Sequence, residues 1–516
     1  MKNFLLSLVL VTSTILQAEA TGLVTNTNQS AMFTRLQNRN ASTGIDAVYY
    51  NPAGLPKLGD GFFVSLNNQT VNQTKTIKTS FPSLNGTPKE YVGNVSAPLY
   101  PGIYAAYNMG NLSFSAGFNP IGGGGGAKYD DGLPSFEMPI SQIPALLTSQ
   151  GIQTNRYSAD IFFEGSSIFF GYQVNIAYKI NEQISIGAGI RMVTAKNTYE
   201  GSITNIRINP NQTKFGADFN GSNMVFARDF FQAGNNVYSQ VSDGLTALGL
   251  PAATPLSALP PQTQDQIAAL LGLTPEVIAA MNVGQAIGGL NNVAQAMAEN
   301  KASTQDRYVD AEQTGTGFTP ILSVNYSPSN KFNFSLRYEF KTKLELTTKL
   351  NDNKGGGVFV DGKKSVADMP AMLALGAEAK PIDKLTISAS FNTYFDKKVD
   401  YSGGDDIKMI DRNYFEYGLG VEYRFTDKFR ASAGWLATNT GILPEYQNDQ
   451  RYSSNSNSFG FGVGYRILPL MDINVGGQYT INADYKKPYE NGLYTETYGK
   501  ETFIFAIGLD FYFGKK

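Results

Sequence analysis

The segment Phe503-Ile504-Phe505-Ala506-Ile507-Gly508-Leu509-Asp510-Phe511-Tyr512-Phe513 places a large apolar side chain at every second position. A period of two is typical of a β-strand, because successive side chains point to opposite faces of a sheet. Between the apolar positions lie small or polar residues such as Gly508 and Asp510. We therefore predict a strand with one apolar and one largely polar face.

The same alternation returns along the chain from residue 62 onward. With its weaker repeats it predicts about fourteen strands, an even number that matches a closed antiparallel transmembrane β-barrel of the all-β class. The predicted strands cover residues 62–79, 100–108, 111–120, 168–181, 183–210, 311–328, 331–350, 367–380, 384–402, 412–426, 428–440, 456–468, 470–485 and 501–514.

The connections between these strands alternate between short and long. Outer-membrane barrels have this asymmetry, with short periplasmic turns and longer external loops, whereas a soluble β-sandwich or β-propeller would not place long loops on one side. The predicted long loops are 80–99, 121–167, 211–310, 351–366, 403–411, 441–455 and 486–500. Helical composition predicts helices at 262–271 and 275–298, and a shorter one at 140–147.

The first twenty residues have the pattern of a signal peptide. Lys2 precedes an apolar run, and Ala18-Glu19-Ala20 has the small-x-small form of a cleavage site. We expect residues 1–20 to be removed, so that the mature chain begins near Thr21. The polar segment that follows, Thr21 to Tyr50, is either a flexible leader or a segment packed inside something polar.

Composition excludes several classes of function. The 516 residues contain no Cys and no His, and the formal net charge is −2. Catalysis by a Ser-His-Asp or Cys-His arrangement and the usual zinc sites are therefore excluded, and no basic surface suggests nucleic acid. The Gly122 to Gly126 run lacks the Gly-Lys-Ser/Thr that completes a phosphate loop. We predict neither an enzyme nor a cofactor or metal site, and interpret Asp130-Asp131 and Asp405-Asp406 as exposed acidic turns rather than calcium ligands.

Two short motifs add a resemblance to a known family. Asn51-Pro52-Ala53-Gly54-Leu55 precedes the first strand, and Phe118-Asn119-Pro120-Ile121-Gly122 ends the third. With the signal peptide and the strand count, they resemble the FadL-type outer-membrane transporters of long-chain fatty acids and other hydrophobic compounds. The resemblance implies that residues 21–58 form a hatch inside a barrel of residues 59–516. It also implies that Asn51, Pro52, Ala53 and Gly54 form the hatch gate, and that Pro120 and Gly122 kink the third strand beside a lateral gap.

The mechanism that the resemblance implies is passive: external loops capture an apolar ligand, the hatch moves, and the ligand leaves through the gap. Candidate capture residues are the apolar positions Phe136, Ile143, Leu146, Leu147, Phe162 and Phe163. The alternative is that they pack the loop against the barrel rim. In each strand, the residues between the outward-facing apolar positions face the lumen. We expect most of the charged residues among them to form ion pairs near the short turns. Arg191 and Arg337 lie farther from the turns and are candidates for pairing with a fatty-acid carboxylate.

The sequence thus predicts a monomer in the outer membrane of a Gram-negative bacterium that transports long-chain fatty acids or similar hydrophobic molecules. Its expected partners are that ligand, outer-membrane lipid and, during biogenesis, the barrel assembly machinery. Two alternatives remain open: an uptake channel for aromatic hydrocarbons, and a surface adhesin or receptor that uses loop 211–310.

Overall fold

The computed structural model describes residues 25–352, 359–399 and 406–514, without the side chains of residues 124, 125, 406 and 407. The expected signal peptide at 1–20 lies outside the described residues, and so does Asp405.

Fourteen antiparallel strands form a closed barrel, as the alternation predicts. The last strand pairs with the first, from Gly61 opposite Gly514 to Thr79 opposite Glu496, so the described sheet closes on itself. The strands are β1 (Gly61–Thr79), β2 (Lys89–Met109), β3 (Leu112–Tyr129), β4 (Tyr157–Lys179), β5 (Ile184–Ile208), β6 (Arg307–Ser329), β7 (Phe332–Glu339 and Glu345–Asp352), β8 (Lys364–Val366 and Met372–Ile382), β9 (Leu385–Tyr394), β10 (Tyr414–Arg424), β11 (Phe429–Asn439), β12 (Ser456–Leu468), β13 (Met471–Asn482 and Tyr485–Tyr489) and β14 (Tyr494–Gly514).

The barrel is apolar outside and polar inside. On the outer face, Phe505 is 46% exposed and Leu419 is 51% exposed, as are many other large apolar side chains. On the inner face, Asn67, Gln173 and Asn325 are buried. A continuous exposed apolar band is the surface that a barrel presents to lipid.

Several strands reach farther outward than the sequence predicts. β4 begins at Tyr157 instead of residue 168, and β14 begins at Tyr494 instead of residue 501. Beyond the apolar band the outer face meets water, so the exposed positions carry polar residues such as Ser158 and Asp160, while the apolar Tyr157 and Ile161 are buried. The hydrogen bonds between β4 and β5 nevertheless continue to the pair of Tyr157 with Ile208.

Eight α-helices lie in the described part of the chain, all outside the wall strands. They are α1 (Ala31–Leu36), α2 (Ala47–Tyr50), α3 (Pro134–Ser141), α4 (Ile143–Ser149), α5 (Ala227–Ala247), α6 (Pro261–Leu271), α7 (Pro275–Ala279) and α8 (Val283–Ser303). None of these helices is long and apolar enough to cross a membrane.

The helices of the long external loop differ in two ways from the prediction. The predicted helix 275–298 is divided into α7 and α8, because Asn282 caps α8 by accepting from the backbone N–H of Gln285 at 2.8 Å. Sequence reasoning missed α5, whose buried Phe230, Phe231 and Leu245 pack against α8 and α6. Its helical spacing of apolar residues was available in the sequence, but Gly234, Asn235 and Asn236 lower its helix propensity.

Candidate functional site

The N-terminal segment of residues 25–58 lies inside the barrel, and we call it the hatch. Its helix α1 packs against β11 to β14. The guanidinium of Arg35 is completely buried, forms an ion pair with Glu422 of β10 at 2.6 Å, and donates to the hydroxyl of Ser432 at 2.7 Å. A buried charge that loses such partners is strongly destabilising, so this contact anchors the hatch to the wall.

Glycines in the wall allow the hatch backbone to come close. A Cβ atom at Gly434 of β11 would lie 1.9 Å from the carbonyl oxygen of Leu36. One at Gly460 of β12 would lie 2.2 Å from the carbonyl oxygen of Thr34. The alternation of glycine and aromatic residues in β12 therefore has two purposes, with aromatic rings facing lipid and glycines facing the hatch.

The hatch is also held together internally. The guanidinium of Arg39 donates to both carboxylate oxygens of Asp46 at 2.8 Å, and the hydroxyl of Ser42 donates to the same carboxylate. Burial raises the pKa of a carboxyl group, but the charge of Arg39 outweighs it and holds the pKa of Asp46 below its usual value. The ion pair is therefore charged throughout the neutral pH range.

The predicted gate residues form a turn against β5 and β6. The side-chain nitrogen of Asn51 donates to the carbonyl of Ser42 at 3.0 Å and to the side-chain oxygen of Asn325 at 2.8 Å. The backbone N–H of Ala53 donates to the hydroxyl of Ser323 at 3.0 Å. Pro52 begins a 3-10 helix, Pro52–Leu58, and a Cβ atom at Gly54 would lie 2.5 Å from Asn51 Nδ2. The turn thus has hydrogen bonds both to the hatch and to the wall.

Arg191 and Arg337 face the lumen, as predicted from the alternation, and both contact Glu339 of β7. Arg191 forms two hydrogen bonds with the Glu339 carboxylate, at 2.7 and 2.9 Å, and Arg337 lies 3.2 Å from it. Both guanidinium groups also lie over the ring of Tyr49, at 4.8 and 4.9 Å from its centroid. The carboxylate beside these arginines is therefore that of the wall itself, and the hatch residue Tyr49 contacts the same cluster.

The wall is interrupted between β2 and β3. Gly93 pairs with Tyr129 and Asn94 with Lys128, but the next pair is Ile103 with Phe118. Between these pairs β3 remains hydrogen-bonded to β4, with irregularities at Pro120/Gly122 and at Gly122/Gly125. Since proline lacks a donor and glycine weakens a strand, these residues account for the break. We call this unpaired part of the wall the β2–β3 opening.

The first described hatch residues bond directly to this opening. Thr25 forms a bridge with Gly122, and the backbone N–H of Asn26 donates to the carbonyl of Ile121 at 2.8 Å. The side chain of Asn26 donates to the Tyr100 hydroxyl at 2.7 Å. That hydroxyl donates to the carbonyl of Pro120 at 2.6 Å. The hatch, β2 and β3 therefore meet at one point.

The six candidate capture residues do not come together in one groove. Ile143 and Leu147 are buried in the core of the external helices, so they have no surface free for a ligand. Phe136 and Phe163 contact each other at 5.6 Å between ring centroids and border a separate aromatic cluster. Phe162 lies beneath the ammonium group of Lys128 at 5.7 Å, and Leu146 is half-buried. Asp130, in the adjacent acidic turn, pairs with Lys128 at 2.8 Å.

Sequence reasoning missed three residues of this site. Glu339 lies two positions after Arg337 on the same face of β7, and that spacing could have revealed it. Asn26 and Tyr100 gave no signal, because the hatch is irregular and Pro98 and Pro101 interrupt the alternation of β2.

Comparisons with known proteins agree with this architecture. A family model described as an outer membrane protein beta-barrel domain matches residues 289–466. No curated protein sequence matches the chain. The structure is similar to the crystal structure of a Pseudomonas aeruginosa FadL homologue, with 13% identity over 96% of this chain and 99% of that chain and a TM-score of 0.57. It is also similar to the Pseudomonas putida toluene transporter TodX, with 15% identity, 95% and 99% coverage and a TM-score of 0.50.

These observations define a class of protein, the outer-membrane β-barrels of Gram-negative bacteria. Within that class, the chain has the same fold as the FadL homologue, with its N-terminal segment inside a fourteen-stranded barrel.

Proposed function

We propose that the protein transports hydrophobic molecules passively across the outer membrane, and that long-chain fatty acids are its principal substrates. The observation that carries the proposal is the β2–β3 opening, whose edge is hydrogen-bonded to the first described residues of the hatch. A side opening gives an apolar ligand a route into lipid without passage through water. Its connection to the hatch provides a means of control.

The route begins at the external loops and ends at the opening. Phe136, Leu146, Phe162 and Phe163 keep surface that an apolar ligand can contact, unlike the buried Ile143 and Leu147. The ligand then displaces part of the hatch, whose gate turn Asn51 to Gly54 releases its bonds to β5 and β6. It leaves beside Pro120 and Gly122. No ATP-binding motif occurs in the sequence, and the substrate gradient supplies the driving force.

This proposal includes a division of the chain: a signal peptide at 1–20, the hatch and its leader at 21–58, and the barrel at 59–516 with its large external loop at 211–310. A ligand carboxylate at Arg191 and Arg337 would compete with the Glu339 carboxylate, which already contacts both guanidinium groups. Such an exchange would also loosen Tyr49, which contacts both arginines.

Aromatic hydrocarbons are the second candidate substrate, since the similar structure TodX is described as a toluene transporter. Uptake of labelled oleate and labelled toluene separates the two candidates. It should be measured in cells that lack the gene and in the same cells carrying it at normal abundance. We expect faster uptake of oleate in the complemented cells. Equal uptake of oleate with and without the protein would remove the fatty-acid proposal, and a difference for toluene alone would favour the hydrocarbon channel.

The large external loop offers a separate test of the adhesin alternative. Its helices α5 to α8 share a continuous apolar core that includes Phe230, Ile267 and Leu290. A variant without residues 211–304 that keeps oleate uptake but loses adhesion to host cells or phage would support a role of the loop in surface binding.

A further inference from the structure

Two lysines face each other across the lumen side of the β1–β14 junction. Lys75 of β1 is the register partner of Lys500 of β14. Each lies two positions from a buried lumen residue, Ile77 in β1 and Tyr498 in β14, so strand alternation directs both lysines inward. Both side chains are half-buried. Two positive charges therefore lie side by side on the inner surface of the barrel.

Neither lysine has a counter-ion in the described part of the chain, where neither forms an ion pair or a side-chain hydrogen bond. Glu496, a carboxylate farther out on the same face of β14, accepts instead from the hydroxyl of Tyr498 at 2.5 Å. Like charges directly opposite each other in a sheet are destabilising. An anion bound between the two ammonium groups would relieve this repulsion.

A third polar group extends this row. Ile481 of β13 is the partner of Glu501, so the next residue, Asn482, follows beside Lys500. The side-chain nitrogen of Asn482 is buried and has no acceptor among the described residues. A buried donor without an acceptor is destabilising, and an anion at the lysines offers an acceptor.

Apolar side chains lie next to the lysines. Ile77, Tyr91, Val95, Tyr129 and Tyr498 belong to one buried cluster, and Phe136 and Phe163 at its border are only half-buried, so they keep surface for a ligand. The β2–β3 opening is also near, because Lys75 is the partner of Gly93, and the Gly93–Tyr129 pair lies at the outer end of the opening. The two positive charges therefore lie close both to an apolar surface and to the β2–β3 opening.

We infer that Lys75 and Lys500 bind the carboxylate of an anionic amphiphile, whose tail packs on Phe136 and Phe163 at the border of the aromatic cluster and reaches towards the opening. This inference rests on the proposed function and deepens it, since it selects fatty acids over neutral hydrocarbons. The site differs from Arg191 and Arg337, both of which already contact the carboxylate of Glu339. Lysine ammonium groups suit this purpose because they pair with a carboxylate as flexible point charges.

The test compares an acid with a neutral molecule of the same length. Purified full-length protein in non-ionic detergent is titrated with oleate and with oleyl alcohol, each carrying the same fluorescent reporter at its methyl end. The variant is Lys75→Gln with Lys500→Gln. The matched control is Lys78→Gln with Lys486→Gln, which removes two exposed lysines without ion pairs among the described residues. Because the variant removes a repulsion, we expect it to fold at least as well as the parent protein.

We expect the Kd for oleate to rise about tenfold in the lumen variant, with the Kd for oleyl alcohol unchanged and the control unaffected. An unchanged Kd for oleate overturns the inference, and so does an equal loss for acid and alcohol, which would show a structural role. Failure of this inference can be distinguished from failure of the proposed function. If the proposed function is wrong, cells carrying the parent protein gain no oleate uptake. If only the lysine site is wrong, those cells still take up oleate, and the lumen variant binds it as tightly as the parent protein.

Discussion

Tyr100 donates its hydroxyl hydrogen to the carbonyl oxygen of Pro120, 2.6 Å away, across a part of the wall where β2 and β3 are not paired. The same hydroxyl accepts from the side chain of Asn26 at 2.7 Å. A single phenol thus joins two wall strands to the hatch. In a barrel whose other strands are joined by backbone ladders, this contact is well placed to control how far the opening widens.

Replacing this phenol should widen the opening. Tyr100→Phe removes both hydrogen bonds and keeps the ring, at a cost of about 1 kcal/mol, which corresponds to about a fivefold larger open population. We expect faster uptake of labelled oleate at equal protein abundance. Tyr107→Phe is the matched control, because Tyr107 lies on the same strand and is 48% exposed. Slower uptake by the Tyr100 variant would show that the hydroxyl positions the ligand and does not restrain the wall.

The gate turn can be tested at Asn51. Asn51→Ala removes the donor to Ser42 and Asn325 and leaves the Asn325 side chain with one partner fewer. Because the wall ladders are untouched, we expect the barrel to fold and insert normally while uptake falls severalfold. Migration of unheated samples on gels checks folding, and oleate uptake checks function. Pro52→Ala should behave in the same way, and normal transport by both variants would argue against a gate at this turn.

Hatch movement can be prevented with a reversible cross-link. A Cβ atom at Gly508 of β14 would lie 3.0 Å from the Cβ of Ala31 and 2.5 Å from Asn67 Oδ1. The separation across a disulfide bond is about 3.5–4.5 Å, so the bond requires the Asn67 side chain to move and α1 to shift slightly away from the wall. The chain has no native cysteine, so within one molecule the pair Ala31→Cys and Gly508→Cys can form only the intended bond, and a non-reducing gel separates it from bonds between molecules. We expect the oxidised variant to lose oleate uptake and reductant to restore it. Each single cysteine variant serves as a control for the substitution itself. Undiminished uptake in the fully oxidised form would show that α1 does not need to leave the wall.

The arginine cluster should be important for stability. Glu339→Gln leaves two buried guanidinium groups beside a neutral side chain, which we expect to lower the free energy of unfolding by about 3 kcal/mol. Urea denaturation of the refolded protein in detergent measures the change. Glu345→Gln is the control, since its ion pair with Lys364 is largely exposed and should contribute less than about 1 kcal/mol. Equal, small effects of the two substitutions would mean that water enters the cluster freely.

The wall could be predicted from the sequence because its physics is local. A strand with lipid on one side and the lumen on the other needs an apolar side chain at every second position, as from Phe503 to Phe513. The predicted strands were too short where the wall extends beyond the lipid, as at Tyr157 and Tyr494. The helix α5 was missed because its glycine and asparagines obscure a pattern that only packing against α8 makes stable.

The site could be predicted only in part. Alternation identified Arg191 and Arg337 as lumen residues, but not Glu339 as their partner. The contact between Asn26 and Tyr100 joins residues 74 positions apart in the chain, and no local pattern reports such a pairing. The uses of Asn51 to Gly54 and of Pro120 and Gly122 in transport remain predictions for the experiments above.

The pairing of β1 with β14 over nineteen residue pairs has a consequence for how the molecule is made. The hatch is synthesised before any wall strand, yet the strand that completes the enclosure is synthesised last. The hatch residues, including Arg35, are therefore available while the wall is still open, and the final seam, from Gly61 with Gly514 outward, completes the enclosure around them.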